Sequence, residues 1–89
     1  MREQTLQITD KIGLHARPAA LLVKIATLFK SDITLVKGDK TVSAKSMLAV
    51  MSAAIKGGDT ITVRASGEDE DEALEAVIAL IAADFQDGR

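Results

Sequence analysis

The alternation of polar and apolar residues constrains the fold of this chain more than any other feature. Thr5–Thr9 and Thr60–Ala65 alternate strictly, which is typical of strands buried on one face. Two shorter β-prone segments, Ile33–Val36 and Thr41–Ala44, flank the glycine-containing turn Lys37–Lys40. The pattern therefore predicts four strands, with the middle two joined in a hairpin.

Between the strands the apolar spacing changes to steps of three and four, which indicates helices. Ala16–Phe29 is the first, and Met47–Ile55 is a shorter second helix with Ser46 as its N-cap and Gly57–Gly58 as its end. Asp10–Leu14 reads as a loop. The residues expected to face the core from the first helix are Ala19, Leu22, Val23, Ala26 and Phe29.

A third helix is predicted after Gly67, with Asp69 and Glu72 at the spacing of N-cap and N3 residues. Its apolar stripe consists of Leu74, Val77, Ile78, Ile81 and Phe85. Residues 87–89 are expected to form a frayed end. The order β-α-β-β-α-β-α predicts an α+β fold of two layers, an antiparallel sheet with helices on one face.

The composition fits one domain spanning residues 1–89 with a core of aliphatic side chains. Hydrophobic residues make up 47% of the 89 residues, and only two residues are aromatic. The chain has no cysteine, which excludes disulfides and favours a reducing compartment. Because its start lacks a signal-peptide pattern and Ala19–Phe29 is too short and polar to span a bilayer, we expect a cytoplasmic protein without membrane contact.

Charge is distributed unevenly along the chain. Residues 1–45 hold eight basic and four acidic residues, whereas residues 46–89 hold three basic and nine acidic ones. The basic half suits an anionic group or an acidic protein partner. It carries no interleaved aromatic residues, so we expect no direct nucleic-acid binding. The acidic run Glu68–Glu72 is expected to stabilise a helix start and to keep the protein soluble rather than to bind metal.

His15, the only histidine, is the main candidate for chemistry. It precedes Ala16-Arg17-Pro18, and proline favours the first turn of a helix, so His15 is expected at the N-cap. There an anion bound to the imidazole would meet unpaired backbone amides, the helix dipole and the Arg17 guanidinium. A single histidine without cysteine supplies neither a metal-ligand set nor a hydrolytic triad. We therefore expect a phosphoryl-carrying residue, with no metal and no cofactor.

Two motifs carry a resemblance to a known family. Gly13-Leu14-His15-Ala16-Arg17-Pro18-Ala19-Ala20 resembles the active-site signature of the histidine-containing phosphocarrier (HPr) family of the phosphoenolpyruvate-dependent sugar phosphotransferase system (PTS). Lys45-Ser46-Met47-Leu48-Ala49-Val50-Met51-Ser52 resembles the second motif of that family. Length and element order agree as well, so the resemblance covers essentially the whole chain.

The resemblance implies a shuttle rather than a stand-alone enzyme. Enzyme I would phosphorylate His15 on Nδ1, Arg17 would stabilise the phosphoryl group, and the group would pass to a histidine of an enzyme IIA domain. The implied fold is an open-faced sandwich with strand order 1-4-2-3. We expect a monomer, because a shuttle has to present one site to two partners in turn.

Ser46 is expected to cap the second helix and is also a candidate for regulation. The resemblance implies that an ATP-dependent HPr kinase/phosphorylase modifies the equivalent serine in Gram-positive relatives, and that the product is a corepressor for a transcriptional regulator. A phosphate at an N-cap is compatible with the helix dipole, so it would change surface charge rather than unfold the domain. Ala49 stands where the Gram-positive pattern has glycine, which counts against the kinase.

The segment after Ser46 is predicted to form a docking surface. Met47, Leu48 and Met51 cannot all face the core at their spacing, whereas Val50 is expected to be buried. Methionine-containing patches adapt to several partners. The predicted docking residues are Ala20, Lys24, Met47, Leu48 and Met51. Leu21 is a further candidate for the apolar patch, and Lys45 is expected with Lys24 at its rim.

Other functions remain open at this point. The chain could be a regulatory relative of the same fold, either of a nitrogen-related branch or a catabolite-repression corepressor that acts by binding proteins. The pair Arg17-Pro18 and the Lys45-Ser46-Met47 motif favour the sugar branch.

Overall fold

The computed structural model describes residues 1–9, 15–83 and 85. The predicted order of strands and helices is confirmed, whereas the predicted loop 10–14 and the frayed end 87–89 lie outside the described residues. The elements are β1 (Arg2–Gln7), α1 (Ala16–Ala26), β2 (Asp32–Lys37), β3 (Lys40–Ser43), α2 (Met47–Ser52), β4 (Thr60–Ser66) and α3 (Glu70–Ala82).

The four strands form one antiparallel sheet in the order β1-β4-β2-β3, as predicted. The pairing places Leu6 opposite Ile61 and Leu35 opposite Val63. Side chains alternate between the two faces of a strand, so these apolar residues share the face that the helices cover. The other face carries Thr5 and Thr62, whose hydroxyls lie 2.8 Å apart.

The core lies between this sheet face and the three helices. The strands contribute Ile33, Leu35, Ile61 and Val63, each at most 1% exposed. The predicted helical stripes are largely confirmed, with Val23, Phe29 and Ile78 only half-buried. Buried helical residues include Ala19, Leu22, Ala26, Val50, Leu74, Val77 and Ile81. No helix among residues 1–9, 15–83 and 85 is long and apolar enough to cross a membrane.

Strand β1 lies earlier in the sequence than the alternation predicted. It begins at Arg2 because its backbone pairs with β4 up to Ala65, and it ends at Gln7. Arg2 and Gln4 lie on the side of β1 that faces the helices, although both are polar. Because the alternation pattern expects apolar residues on that side, it did not predict this part of the strand. Backbone pairing thus extends the strand beyond the residues that bury side chains.

The prediction that α2 ends at Gly57–Gly58 is wrong. The helix stops at Ser52, and Ala54 follows with φ of 53°. The Ala54 carbonyl accepts a hydrogen bond of 2.8 Å from Lys37 Nζ, which also lies 3.0 Å from an Asp59 carboxylate oxygen. The helix thus ends in a left-handed residue, and the Lys37 contact ties that residue to β2.

The predicted position of Asp69 at the N-cap of α3 is confirmed, but the capping contact that its spacing to Glu72 indicates is not. The Asp69 carboxylate makes no capping hydrogen bond. It accepts instead from the amides of Lys30 and Ser31 at 3.0 and 2.9 Å, and from Ser31 Oγ at 2.6 Å. The carboxylate that folds back belongs to Glu70, not to Glu72, and accepts from the Gly67 amide at 3.1 Å.

This Ser31–Asp69 latch ties the start of α3 to the segment after α1. The Ser31 hydroxyl and the two amides stabilise the ionised carboxylate, so they lower the pKa of Asp69 from its usual 3.8 to about 2. Ser31 itself is 1% exposed, and its hydroxyl donates to this carboxylate. The latch fixes the end of α1 that lies away from His15.

Candidate functional site

His15 occupies the N-cap of α1, as predicted. Its backbone is extended, with φ of −87° and ψ of −169°, and its carbonyl accepts the first helical hydrogen bond from the Ala19 amide at 2.9 Å. Its side chain is exposed and makes no capping hydrogen bond. The backbone of His15 therefore starts the helix while the imidazole stays available to partners.

The first turn of α1 gives the imidazole a surrounding that favours an anion. The amides of Ala16 and Arg17 have no acceptor within the helix, because helical hydrogen bonds begin one turn later. Pro18 has no amide hydrogen and is buried, so it anchors the turn without adding a donor. The turn contains no acidic residue. Two backbone donors and the positive end of the helix dipole thus lie beside His15.

Arg17 is exposed on the same turn, two residues from His15. No ion pair of Arg17 is among those of the described residues. Its guanidinium carries five donors and stays charged, so it suits a planar contact with phosphate oxygens. His15 and Arg17 are thus both exposed at the start of α1.

Ser46 is the N-cap of α2, and this prediction is confirmed. Its Oγ accepts a hydrogen bond of 3.2 Å from the Ala49 amide, and the residue is half-buried. The same hydroxyl is the predicted site of phosphorylation, and a phosphate there would replace a capping contact by a stronger acceptor at the same helix start.

The predicted apolar surface is present beside this cap. Leu48 is 81% exposed, and Met47 and Met51 are 37% and 40% exposed, while Val50 is fully buried. Ala20 and Lys24 are exposed on α1, which packs against α2. We call the set Ala20, Lys24, Met47, Leu48 and Met51 the docking face, after the function predicted for it.

Lys45 does not extend freely along the rim of the docking face. Its Nζ donates to the Phe29 carbonyl at 2.7 Å, and the residue is half-buried. The ammonium therefore satisfies a carbonyl just beyond the end of α1 and joins that end to the start of α2. Sequence alone offered no signal for this contact, because residues 29 and 45 belong to different elements.

Leu28 is a further exposed apolar residue, and it belongs to neither motif. It is 71% exposed and lies two residues beyond the end of α1. Its spacing of four residues from Lys24 is the one sequence signal that could have associated it with the docking face.

The acidic run shows no metal-binding arrangement in the described part of the chain. No group of three or more His, Cys, Asp or Glu side chains there is placed to hold a metal ion. Glu70 contacts the Met1 amino group at 3.1 Å, and Asp71 contacts Arg2 at 3.5 Å. The Gly67 amide and the N-terminal amino group lower the pKa of Glu70. These carboxylates thus connect α3 with β1.

The groove between β1 and α3 is separate from the predicted site. No residue of the docking face and neither His15 nor Arg17 lines it. Its lining residues are Arg2, Gln4, Asp71, Leu74, Glu75, Ile78 and Ala79. The candidate site is therefore an exposed surface around a helix start rather than this groove.

Comparison with known proteins matches the sequence of this chain to one family. The family described as "PTS HPr component phosphorylation site" matches residues 2–83. The phosphocarrier protein HPr of Mycoplasma capricolum subsp. capricolum is 50% identical over 70 residues, which are 79% of each chain.

Solved structures of HPr and of Crh are also similar to this chain. HPr-C-His from Thermoanaerobacter tengcongensis has a TM-score of 0.93 and 45% identity, with 96% of both chains covered. Crh of Bacillus subtilis, a catabolite-repression protein, has a TM-score of 0.76 and 44% identity over 97% of this chain and 99% of Crh, and its structure is a domain-swapped dimer. With its fold, the exposed histidine at the start of its first helix and its matched family profile, this chain belongs to the HPr family of the PTS.

Proposed function

We propose that this protein accepts a phosphoryl group on His15 from phospho-enzyme I and donates it to enzyme IIA domains during sugar uptake. The observation that carries the proposal is the exposed imidazole at the N-cap of α1, which makes no capping hydrogen bond of its own. In the transfer step, Nδ1 of neutral His15 attacks phosphorus as the bond from phosphorus to the donor breaks. The carrier is discharged by a second displacement, in which the acceptor histidine attacks phosphorus as the bond from phosphorus to Nδ1 of His15 breaks.

The surroundings of His15 support a carrier rather than an enzyme that acts alone. The phosphoryl oxygens meet the Ala16 and Arg17 amides and the Arg17 guanidinium, which offset charge on the group in flight. One arginine and two amides hold phosphate modestly, so the group remains transferable. Donor and acceptor proteins would supply the remaining catalytic groups when they dock.

The docking face gives both partners the same platform. Leu48 offers an almost fully exposed apolar side chain, and Lys24 adds a positive charge one helix away. An apolar centre with a basic edge suits partners that carry apolar residues and carboxylates. Lys45 Nζ is bound to the Phe29 carbonyl, so the exposed cations of this surface are Arg17 and Lys24, both on α1.

We further propose that phosphorylation of Ser46 slows the charging of His15. The serine starts the helix that carries Met47 and Leu48, so a dianion there lies at the edge of the docking face. It would repel the carboxylates of enzyme I, while α2 tolerates the charge at its N-terminus. An ATP-dependent HPr kinase/phosphorylase is the proposed modifying enzyme.

We propose that the carrier works in the cytoplasm as a monomer, because an exchange with two partners in turn requires an uncovered His15. Light scattering across a hundredfold concentration range tests this, with a constant monomer mass expected. A dimer like the one that Crh forms would contradict the monomer.

The proposed transfer is tested with labelled phosphoenolpyruvate and enzyme I. Wild type and Ser46→Ala are expected to take up acid-labile, alkali-stable phosphate, and His15→Ala is expected to take up none. Label retained in His15→Ala would show that another residue is the acceptor.

A second candidate function is a corepressor that acts through phosphorylated Ser46, and the likeness to Crh favours it. It predicts ATP-dependent, acid-stable labelling by an HPr kinase that disappears in Ser46→Ala. If no acid-stable phosphate forms, both the corepressor and the Ser46 control of His15 are excluded.

A further inference from the structure

Leu28 lies on the same side of α1 as two residues of the docking face. Although α1 ends at Ala26, the Leu28 amide still donates to the Ile25 carbonyl at 3.1 Å, so the chain continues in a helical turn. Leu28 follows Lys24 by four residues and Ala20 by eight, and such spacing places side chains along one helix face. All three residues are exposed, and Leu28 is the large apolar side chain among them.

The Lys45 contact ties the segment that carries Leu28 to the start of α2. Lys45 Nζ binds the carbonyl of Phe29, the residue next to Leu28, while Met47 and Leu48 follow Lys45 by two and three residues. Leu28 and Leu48, exposed by 71% and 81%, therefore flank one fixed junction between α1 and α2.

The dimensions of the face allow one partner to cover His15 and Leu28 together. The two residues are separated by thirteen positions, which corresponds to about 20 Å along a helix. A standard interface buries about 800 Å² on each partner, and a circular patch of that area is about 32 Å wide. A partner centred between Ala20 and Lys24 would thus reach both ends.

The charge of α1 identifies the kind of partner. Its two charged residues, Arg17 and Lys24, are both cationic and exposed, and they lie between His15 and Leu28. We propose that Leu28 forms the distal end of the docking face and packs into an apolar site, edged by carboxylates, on a protein that exchanges a phosphoryl group with His15. This inference rests on the proposed carrier function and adds a residue that determines partner affinity.

The test measures KM for the carrier in two assays, charging by enzyme I and discharge to an enzyme IIA domain. Leu28→Ala removes three carbon atoms from the contact and is expected to raise KM about five- to thirtyfold with at least one partner. Leu28→Met keeps the apolar bulk and is expected to stay within about twofold of wild type. Thr41→Ala, at an exposed position of β3, is the control and should not change KM.

The outcomes separate this inference from the function on which it rests. If wild type is charged and discharged normally but Leu28→Ala leaves KM within twofold for both partners, Leu28 lies outside the interface and the inference is overturned. If wild type accepts no phosphoryl group at all, the carrier function itself fails, and the role of Leu28 fails with it. Thermal unfolding of Leu28→Ala at the wild-type temperature shows that the fold is intact.

Discussion

Replacement of Gly67 by alanine is predicted to destabilise the fold through the Ser31–Asp69 latch. Gly67 has φ of 151°, a conformation that residues with a side chain rarely adopt. A Cβ atom there would lie 2.7 Å from Ser31 Oγ and 2.8 Å from Ser31 Cα. Ser31 cannot easily move away, because its amide and hydroxyl are both bound to Asp69.

The size of the effect follows from three contributions. Strained backbone costs about 1–3 kcal/mol, and an overpacked contact adds about 1–3 kcal/mol. Alanine also lowers the conformational entropy of the unfolded chain, which offsets about 0.4–1 kcal/mol of the loss in stability. Gly67→Ala is therefore expected to lose about 3 kcal/mol of unfolding free energy, within limits of about 1 and 5.5 kcal/mol. Gly38→Ala is the matched control, since Gly38 has φ of 59° but nothing within 4 Å of an added Cβ, and it should lose about 1 kcal/mol.

Urea denaturation of both variants measures this difference, with the slope m checked for constancy. The folded fraction of Gly67→Ala should still accept phosphate on His15, because the latch lies at the opposite end of α1. Equal losses in the two variants, or a smaller loss for Gly67→Ala, would refute the proposed collision with Ser31.

Three further predictions concern other parts of the molecule. Because the pKa of Asp69 is lowered, its ionised carboxylate stabilises the fold fully above pH 3.8, and this stability is lost as the pH falls towards about 2. The unfolding free energy of Asp69→Asn should therefore depend less on pH over that interval, and an unchanged acid-unfolding profile would contradict the latch. Ala54→Gly should raise unfolding free energy by about 1 kcal/mol in urea titrations, since it relieves φ of 53°, and a loss would contradict this. Leu48→Ala should alter stability by less than about 0.5 kcal/mol while raising KM for enzyme I about tenfold, and unchanged kinetics would remove Leu48 from the docking face.

Local patterns predicted the helix starts that matter for chemistry. His15 and Ser46 were both placed at N-caps from the few residues around them, and the structure confirms both positions. Capping depends on neighbouring residues, so short segments of sequence suffice. The exposure of Leu48 next to buried Val50 also follows from spacing along one helix.

Contacts between distant segments could not be predicted in this way. Asp69 and Glu72 have the spacing of a capping box, yet the Asp69 carboxylate binds residues 30 and 31, almost forty positions earlier. Lys45 resembles a free surface cation in sequence but binds the Phe29 carbonyl. Each of these side chains has two ways to satisfy its charge, and tertiary packing decides between them.

The central claim is that His15 carries a phosphoryl group between two proteins, and phosphorus-31 NMR of the charged protein tests it most directly. After incubation with phosphoenolpyruvate and enzyme I, we expect one resonance from phosphate on Nδ1 of His15, and we expect it to vanish when an enzyme IIA domain is added. A phosphate on another residue, or a His15 phosphate that the IIA domain does not remove, would contradict the account.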